Sequence, residues 1–326
     1  MIQKILQNIP KLNHSILPTP IYKLEKLSDK YSTNIYCMRD DMTGFAFGGN
    51  KTRKLDYLVY DAIRQGADTL LAVGANQSNF CRITAGYGAA NGLVVHLLLS
   101  GKASDKPTAN LYLDKIFGAV VHHTDKHENA AVEAQSLELE EELKKQGKKV
   151  YRMPLGGSTP LGTLGYLGAF SEILEFSEKN KVHFDTVFLA SGSGGTQAGL
   201  VLGQMISAWK GEIIGISVGR SAGELKTVVE NLANNAFDLI NKDNLANRTA
   251  VSVKADDRYI GEKYGAFTDW GSTAIIEFAQ TEGILLDNVY TGKAAAGMLD
   301  YIRKGKIDKS KNILFIHTGG NIELFE

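Results

Sequence analysis

Thr69-Leu70-Leu71-Ala72-Val73, followed by Gly74-Ala75-Asn76-Gln77-Ser78-Asn79 and then by residues 80–90, is the stretch that decides the fold. Its first part is a short apolar run of the kind that forms a strand buried on both faces. The six residues after it are turn and cap types, and residues 80–90 are compatible with a helix. Strand, turn and helix in that order make one βα unit, and the pattern recurs along the chain. Further strands are expected at 93–99, 119–121, 149–151, 186–190, 213–218 and 312–316. Such runs predict parallel strands covered by helices, hence an α/β protein. Residues 129–146, rich in Glu, Ala, Leu and Lys, predict a surface helix with a solvated charged face. The polar stretch 231–247 predicts a helix and loop, and Pro18-Thr19-Pro20 a rigid extended segment.

A chain of 326 residues predicts two domains or one large α/β domain. Its 36 basic and 36 acidic residues cancel, which removes the electrostatic footprint of a nucleic-acid binder. Any anionic ligand must therefore be held by local geometry. Gly is abundant (34) and Pro scarce (6), as in a globular chain with many strand-to-helix turns. The two cysteines, Cys37 and Cys81, stand outside any metal-ligand or disulfide spacing, so no metal site is expected and a reducing cytoplasm is. No apolar run reaches membrane-spanning length.

Four short segments carry candidate chemistry. In Gly48-Gly49-Asn50-Lys51-Thr52-Arg53-Lys54-Leu55, paired glycines precede a helix start that continues through Tyr60. A lysine at a positive helix end, with Arg53 and Lys54 beside it, is easier to deprotonate, as a Schiff-base amine must be. A solvated basic patch is the plainer alternative. Ser191-Gly192-Ser193-Gly194-Gly195-Thr196 follows a strand and opens a helix, and its exposed N–H groups suit a phosphate monoester. It lacks the Gly-Lys-Ser/Thr ending and the third glycine of nucleotide loops, which disfavours a kinase or reductase. Asn76-Gln77-Ser78-Asn79, at a strand end, could cradle a carboxylate or simply cap a helix. In His317-Thr318-Gly319-Gly320 the threonine could meet a ring nitrogen, and His317 reads as structural.

Taken in order with Arg39-Asp40-Asp41, Gly156-Gly157-Ser158 through Gly165-Tyr166, and Thr281-Glu282-Gly283 through Lys293, these segments resemble the D-cysteine desulfhydrase and 1-aminocyclopropane-1-carboxylate deaminase family of fold-type II pyridoxal-phosphate enzymes. The resemblance spans nearly the whole chain. It implies a tryptophan synthase β-like fold of two three-layer αβα domains with mainly parallel sheets. A large cofactor domain would comprise 1–52 and 163–326, and a small domain 53–162 would be inserted in it. It implies pyridoxal 5′-phosphate held as a Schiff base on Lys51, with Asn50 near the phenolic oxygen. The phosphate would lie on Ser193, Gly194, Gly195 and Thr196, with Lys54 adding charge, and Thr318 would stand beside the pyridine nitrogen. Gln77, Ser78 and Asn79 would receive the carboxylate of a small amino acid, Ser78 also serving in proton transfer. Phe80 lines that site, and Tyr264 and Tyr290 would face the substrate.

The implied reaction is β-elimination to pyruvate and ammonia by a cytoplasmic homodimer that spans no membrane and binds no nucleic acid. Thr291 and Thr318, where the deaminases carry Glu and Leu, match the desulfhydrase branch and point to D-cysteine. Phe80 stands where that branch commonly has His, Asn288 where Pro is usual, and Phe267-Thr268-Asp269 replaces the usual residues after Tyr264-Gly265. Deamination of 1-aminocyclopropane-1-carboxylate, sulfo-lyase action on L-cysteate and noncatalytic amino-acid binding are the alternatives.

Overall fold

The computed structural model describes residues 1–207, 209–241 and 246–326. Among the described residues ten strands build two sheets: β1 (Ile21–Lys23), β2 (Asn34–Arg39), β3 (Thr69–Ala75), β4 (Val94–Ser100), β5 (Val120–Thr124), β6 (Val150–Met153), β7 (Thr186–Ser191), β8 (Glu212–Ser217), β9 (Lys254–Asp256) and β10 (Asn312–His317). The larger sheet has the order β1-β2-β10-β7-β8-β9 and the smaller β5-β4-β3-β6. Only β1 with β2 pairs antiparallel; every other neighbour among the described residues is parallel. Ile316 stands between Met38 and Leu189, and Ala72 between Leu97 and Met153.

The seven expected strands form within a few residues of their predicted limits, while β1, β2 and β9 extend the larger sheet without having been anticipated. Their sequences explain why. β1 and β9 are three-residue pieces, the latter Lys-Ala-Asp, and β2 mixes Ile35, Cys37 and Met38, all fully buried, with polar Asn34 and Arg39 at its ends. The expected surface helix runs Asn129–Lys145. The helix expected from about residue 231 ends the longer helix Ala222–Ile240, and residues 242–245 of that prediction lie outside the described residues.

Alternation along each strand sends side chains into two cores. On the larger sheet, Val187, Leu189, Leu314 and Ile316 pack under helices Pro160–Asn180 and Gly195–Ser207. Phe188, Ile214, Ile216 and Phe315 pack on the opposite face under helices Asp269–Glu282 and Thr291–Arg303. The smaller sheet buries Leu70, Ala72, Val95 and Leu97 with Leu55, Leu58 and Val59 of helix Asn50–Arg64. Tyr57 of that same helix joins the core of the larger sheet, so the helix is anchored in both.

A buried ion cluster fixes this bridging helix. Arg53 forks onto Asp40 (2.9 Å) and Glu172 (2.7 Å) and donates to Thr19 Oγ1 (3.0 Å), and Tyr166 donates its hydroxyl to Asp40. Glycine permits the close helix crossing here, since a Cβ on Gly165 would sit 2.4 Å from the Arg53 carbonyl oxygen. The helix start, with Lys51, is thereby held at the carboxyl ends of β7 and β10, where open α/β sheets bind ligands.

Candidate active site

Asn50 and Lys51 open the bridging helix. The Asn50 N–H donates to the Thr318 carbonyl (2.9 Å), and its Nδ2 donates to Thr196 Oγ1 (2.9 Å). Lys51 Nζ donates to Asn50 Oδ1 (3.2 Å). One residue therefore joins the lysine to the segments after both β7 and β10. Burial lowers the Lys51 amine to about 8, with the Glu323 carboxylate pulling weakly the other way. The expected help from Arg53 is corrected here: its charge is spent on Asp40 and Glu172, and desolvation does the lowering. Nor is the segment a solvated basic patch, since Arg53 and Lys54 are both 1% exposed.

The loop after β7 folds against Lys54 and Ser158. Lys54 Nζ donates to the Gly156 carbonyl (3.2 Å) and to Ser158 Oγ (3.4 Å). Ser158 Oγ in turn donates to Ser193 Oγ (2.7 Å) and accepts from the Gly195 N–H (3.2 Å). Gly194 takes φ +88°, and a Cβ on Gly195 would lie 2.7 Å from Ser158 Oγ and 2.8 Å from Lys54 Nζ. A small cradle of amide and hydroxyl donors thus surrounds Gly195, and any side chain there would fill it. Lys54 is held well below the usual lysine range, first by burial and then by Lys51. A phosphate dianion in the cradle would restore its charge, and Ser191 Oγ, buried without a partner, adds a free hydroxyl at the strand end. These residues fit pyridoxal phosphate. Ser158, which faces the loop, was legible only as part of a Gly-Gly-Ser turn.

On the smaller sheet, Ser78 is the N-cap of helix Asn79–Asn91, and its Oγ accepts from the Cys81 N–H (3.2 Å) and lies against the Cys81 thiol. Its neighbours are engaged elsewhere. Gln77 accepts from the Asn110 N–H (2.9 Å), and Asn79 Oδ1 accepts from Arg82 (2.8 Å). Asn79 Nδ2 donates to Glu323 Oε1 at 2.6 Å. Phe80 is 2% exposed in the core of the smaller sheet, and a Cβ on Gly157 would come 2.9 Å from its ring.

Tyr264 and Tyr290 share a hydroxyl–hydroxyl hydrogen bond, with ring centroids 6.2 Å apart. Burial raises both phenols, so they are neutral proton carriers. The Tyr290 ring edge lies 3.8 Å from the position of a Cβ on Gly192, which places the pair beside the cradle loop. Asp287, invisible as a functional residue in the sequence, fixes this pair. It accepts from the N–H groups of Val289 (2.8 Å), Tyr290 (2.6 Å) and Thr291 (2.8 Å). Thr291 Oγ1 also donates to it (2.6 Å), so this threonine is a buried loop fastener. Thr318 is 6% exposed. His317 meets the Leu285 carbonyl at 2.8 Å and accepts from the Gly319 N–H, the structural role read from sequence.

Two mainly parallel α/β sheets, with a buried amine and a cradle of amide and hydroxyl donors where the bridging helix meets the segments after β7 and β10, define a pyridoxal-phosphate enzyme of fold-type II. Residues 12–319 match the model of the family described as "Pyridoxal-phosphate dependent enzyme", and the chain belongs to that family. It is 39% identical over 329 residues to a D-cysteine desulfhydrase of Serratia proteamaculans, covering 99% of this chain and 98% of that protein. It is 40% identical over 316 residues to a provisionally named 1-aminocyclopropane-1-carboxylate deaminase of Pyrococcus horikoshii, covering 97% of this chain and 93% of that protein. The crystal structure of an ACC deaminase homologue superposes with a TM-score of 0.92 at 38% identity, over 99% of this chain and 96% of the other. Among the described residues no helix is long and apolar enough to cross a membrane, and no cluster of three or more His, Cys, Asp or Glu could hold a metal.

Proposed function

We propose that this chain is a lyase that removes a β-substituent from a small amino acid, with D-cysteine converted with water to pyruvate, hydrogen sulfide and ammonia. The observation that carries the reading is the Lys51 amine, lowered to about 8 beside a cradle suited to phosphate. When bound, the cofactor supplies the electron sink for loss of the α-proton and the β-substituent.

The chain's own groups would supply binding and proton transfer. Lys51 would hold the cofactor and afterwards take the α-proton on Nζ. Asn50 would orient the cofactor ring, while Lys54, Ser193, Gly194, Gly195 and Thr196 would hold its phosphate. Thr318 would offer the pyridine nitrogen a neutral hydroxyl, which favours prompt elimination over a long-lived carbanion. Ser78 would meet the substrate carboxylate with its hydroxyl. The neutral Tyr264–Tyr290 pair would protonate the departing sulfur. On this reading the cleft lies between a domain of residues 53–162 and one of 1–52 and 163–326, in a cytoplasmic homodimer. Sedimentation of the holoenzyme checks the oligomeric state.

The relatives' names keep 1-aminocyclopropane-1-carboxylate in view, the resemblance read from the sequence adds L-cysteate, and the buried Thr291 is committed to Asp287. Purified holoenzyme assayed for pyruvate with D-cysteine, L-cysteine, L-cysteate, β-chloro-D-alanine and D-serine, and for 2-oxobutyrate with the cyclopropane acid, separates them. Turnover of D-cysteine is expected; pyruvate from none of the sulfur compounds overturns the assignment. Borohydride should fix the cofactor to wild-type protein and not to Lys51→Ala.

A further inference from the structure

The 3₁₀ turn Asn321–Phe325 packs on the start of helix Asn79–Asn91 and brings Glu323 against Asn79. Glu323 is 7% exposed, and the turn is closed by its N–H donating to the Gly320 carbonyl (2.9 Å). Only one of its carboxyl oxygens is satisfied. Oε1 accepts from Asn79 Nδ2 at 2.6 Å, while Oε2 is buried with no partner. Asn79 cannot offer its other end, because Arg82 Nη1 (2.8 Å) and Asn110 Nδ2 (3.3 Å) both donate to its Oδ1. Oε1 is therefore committed as an acceptor, and a proton on the neutral acid belongs on Oε2.

A carboxyl with structural duty alone would engage both oxygens, since an orphaned buried polar atom is costly. This one is bonded to the side chain of Asn79, the residue after Ser78, at the helix start where the substrate carboxylate would arrive on the proposed reading. We propose that Glu323 is a specificity-determining group of the substrate site, its Oε2–H donating to the carboxylate of the bound amino acid. The proposal rests on the reading of the chain as an amino-acid lyase. Burial, reinforced by Asp287 and Glu326, raises Glu323 well above the usual carboxylate range, against weaker pulls from Asn79 and Arg82. The groups around it are Arg82 on helix Asn79–Asn91, Asp287 on the tyrosine loop, Glu326 on its own turn, and Lys51, Tyr264 and Tyr290, which feel its charge once it ionises. Arg82 is itself spent on Asn79, Asn110 and the Gly48 carbonyl.

The test is a spectral titration of the holoenzyme with D- and L-alanine, which bind without a leaving group, and with ethylamine, which lacks the carboxylate. Loss of one hydrogen bond to a charged group should make Glu323→Ala bind alanine about tenfold or more weakly while ethylamine is unchanged, and Glu323→Gln, still a donor, should stay within about threefold of wild type. Alanine affinity of the wild type should fall as rising pH ionises Glu323, and that of Glu323→Gln should not. Unchanged or tighter alanine binding by Glu323→Ala overturns the assignment, as does an equal loss for ethylamine. A wild-type spectrum that no small amino acid perturbs overturns instead the lyase reading beneath it.

Discussion

Asn50 Nδ2 donates to Thr196 Oγ1 at 2.9 Å, so the residue before Lys51 is bonded to the first turn of the helix behind the phosphate cradle. The amine and the cradle belong to segments 146 positions apart, and this bond sets their spacing. Asn50→Ala removes it and leaves Thr196 without its donor. A single buried hydrogen bond is worth about 1 kcal/mol, so the dissociation constant of pyridoxal phosphate should rise roughly fivefold. Equilibrium dialysis of the apo variant measures this, with circular dichroism to verify the fold.

If Lys51 holds the cofactor as proposed, its lowered amine makes cofactor capture depend on pH, because only the neutral amine attacks an aldehyde. A group near 8 is roughly a tenth neutral at pH 7, about 300-fold more than an ordinary lysine. The rate at which apoenzyme takes up pyridoxal phosphate should therefore climb with pH to about 8 and then level. Stopped-flow absorbance follows it; a rate still rising toward pH 10 would place the amine in its ordinary range.

How legible the molecule was depends on where each signal is stored. Continuous apolar runs reveal β3, β4, β7, β8 and β10 because a strand covered on both faces needs them. β1, β2 and β9 take their places through pairing with strands already formed, and three residues such as Lys254-Ala255-Asp256 carry no periodicity. The Lys51, Ser193 and Ser78 segments stood out because glycine and cap residues at strand ends are local signals. Glu323 and Asp287 did not, since their partners lie far away or on loop backbone. Asn79 shows the same limit: nothing in Gln77-Ser78-Asn79 reveals that a carboxyl 244 positions away bonds its amide.

Arg53 locks the Lys51 helix through Asp40 and Glu172, and the cluster has almost no access to water. Arg53→Met keeps the length of the side chain but strands two carboxylates. Breaking one partner of a buried ion pair costs about 3–5 kcal/mol, which should appear as a lower urea midpoint. A double variant, Arg53→Met with Asp40→Asn, should recover part of that loss, because one of the stranded charges is gone. Loss of stability confined to the exposed pair Arg64–Asp61, by contrast, should be within about 1 kcal/mol.

Asp287 shapes the loop that presents Tyr290, and its two oxygens accept from three backbone N–H groups and the Thr291 hydroxyl. In Asp287→Asn one oxygen becomes an NH₂, which faces N–H donors instead of accepting from them. If Oδ2 is replaced, Val289 and Tyr290 lose their acceptor; if Oδ1 is replaced, Thr291 loses both of its bonds. Either way the loop loosens and the Tyr264–Tyr290 contact loses its fixed partner. On the proposed assignment Lys51, Lys54 and the Gly195 cradle would hold the cofactor, and none of them touches Asp287 through these bonds, so cofactor binding should persist. Turnover should fall, by roughly 10- to 100-fold for a displaced proton donor, with a smaller change in KM. A steady-state comparison of kcat and KM on the best substrate of the panel checks the split. Loss of bound cofactor in Asp287→Asn at unchanged kcat per loaded site would mean that the carboxylate supports the cofactor site rather than the tyrosines.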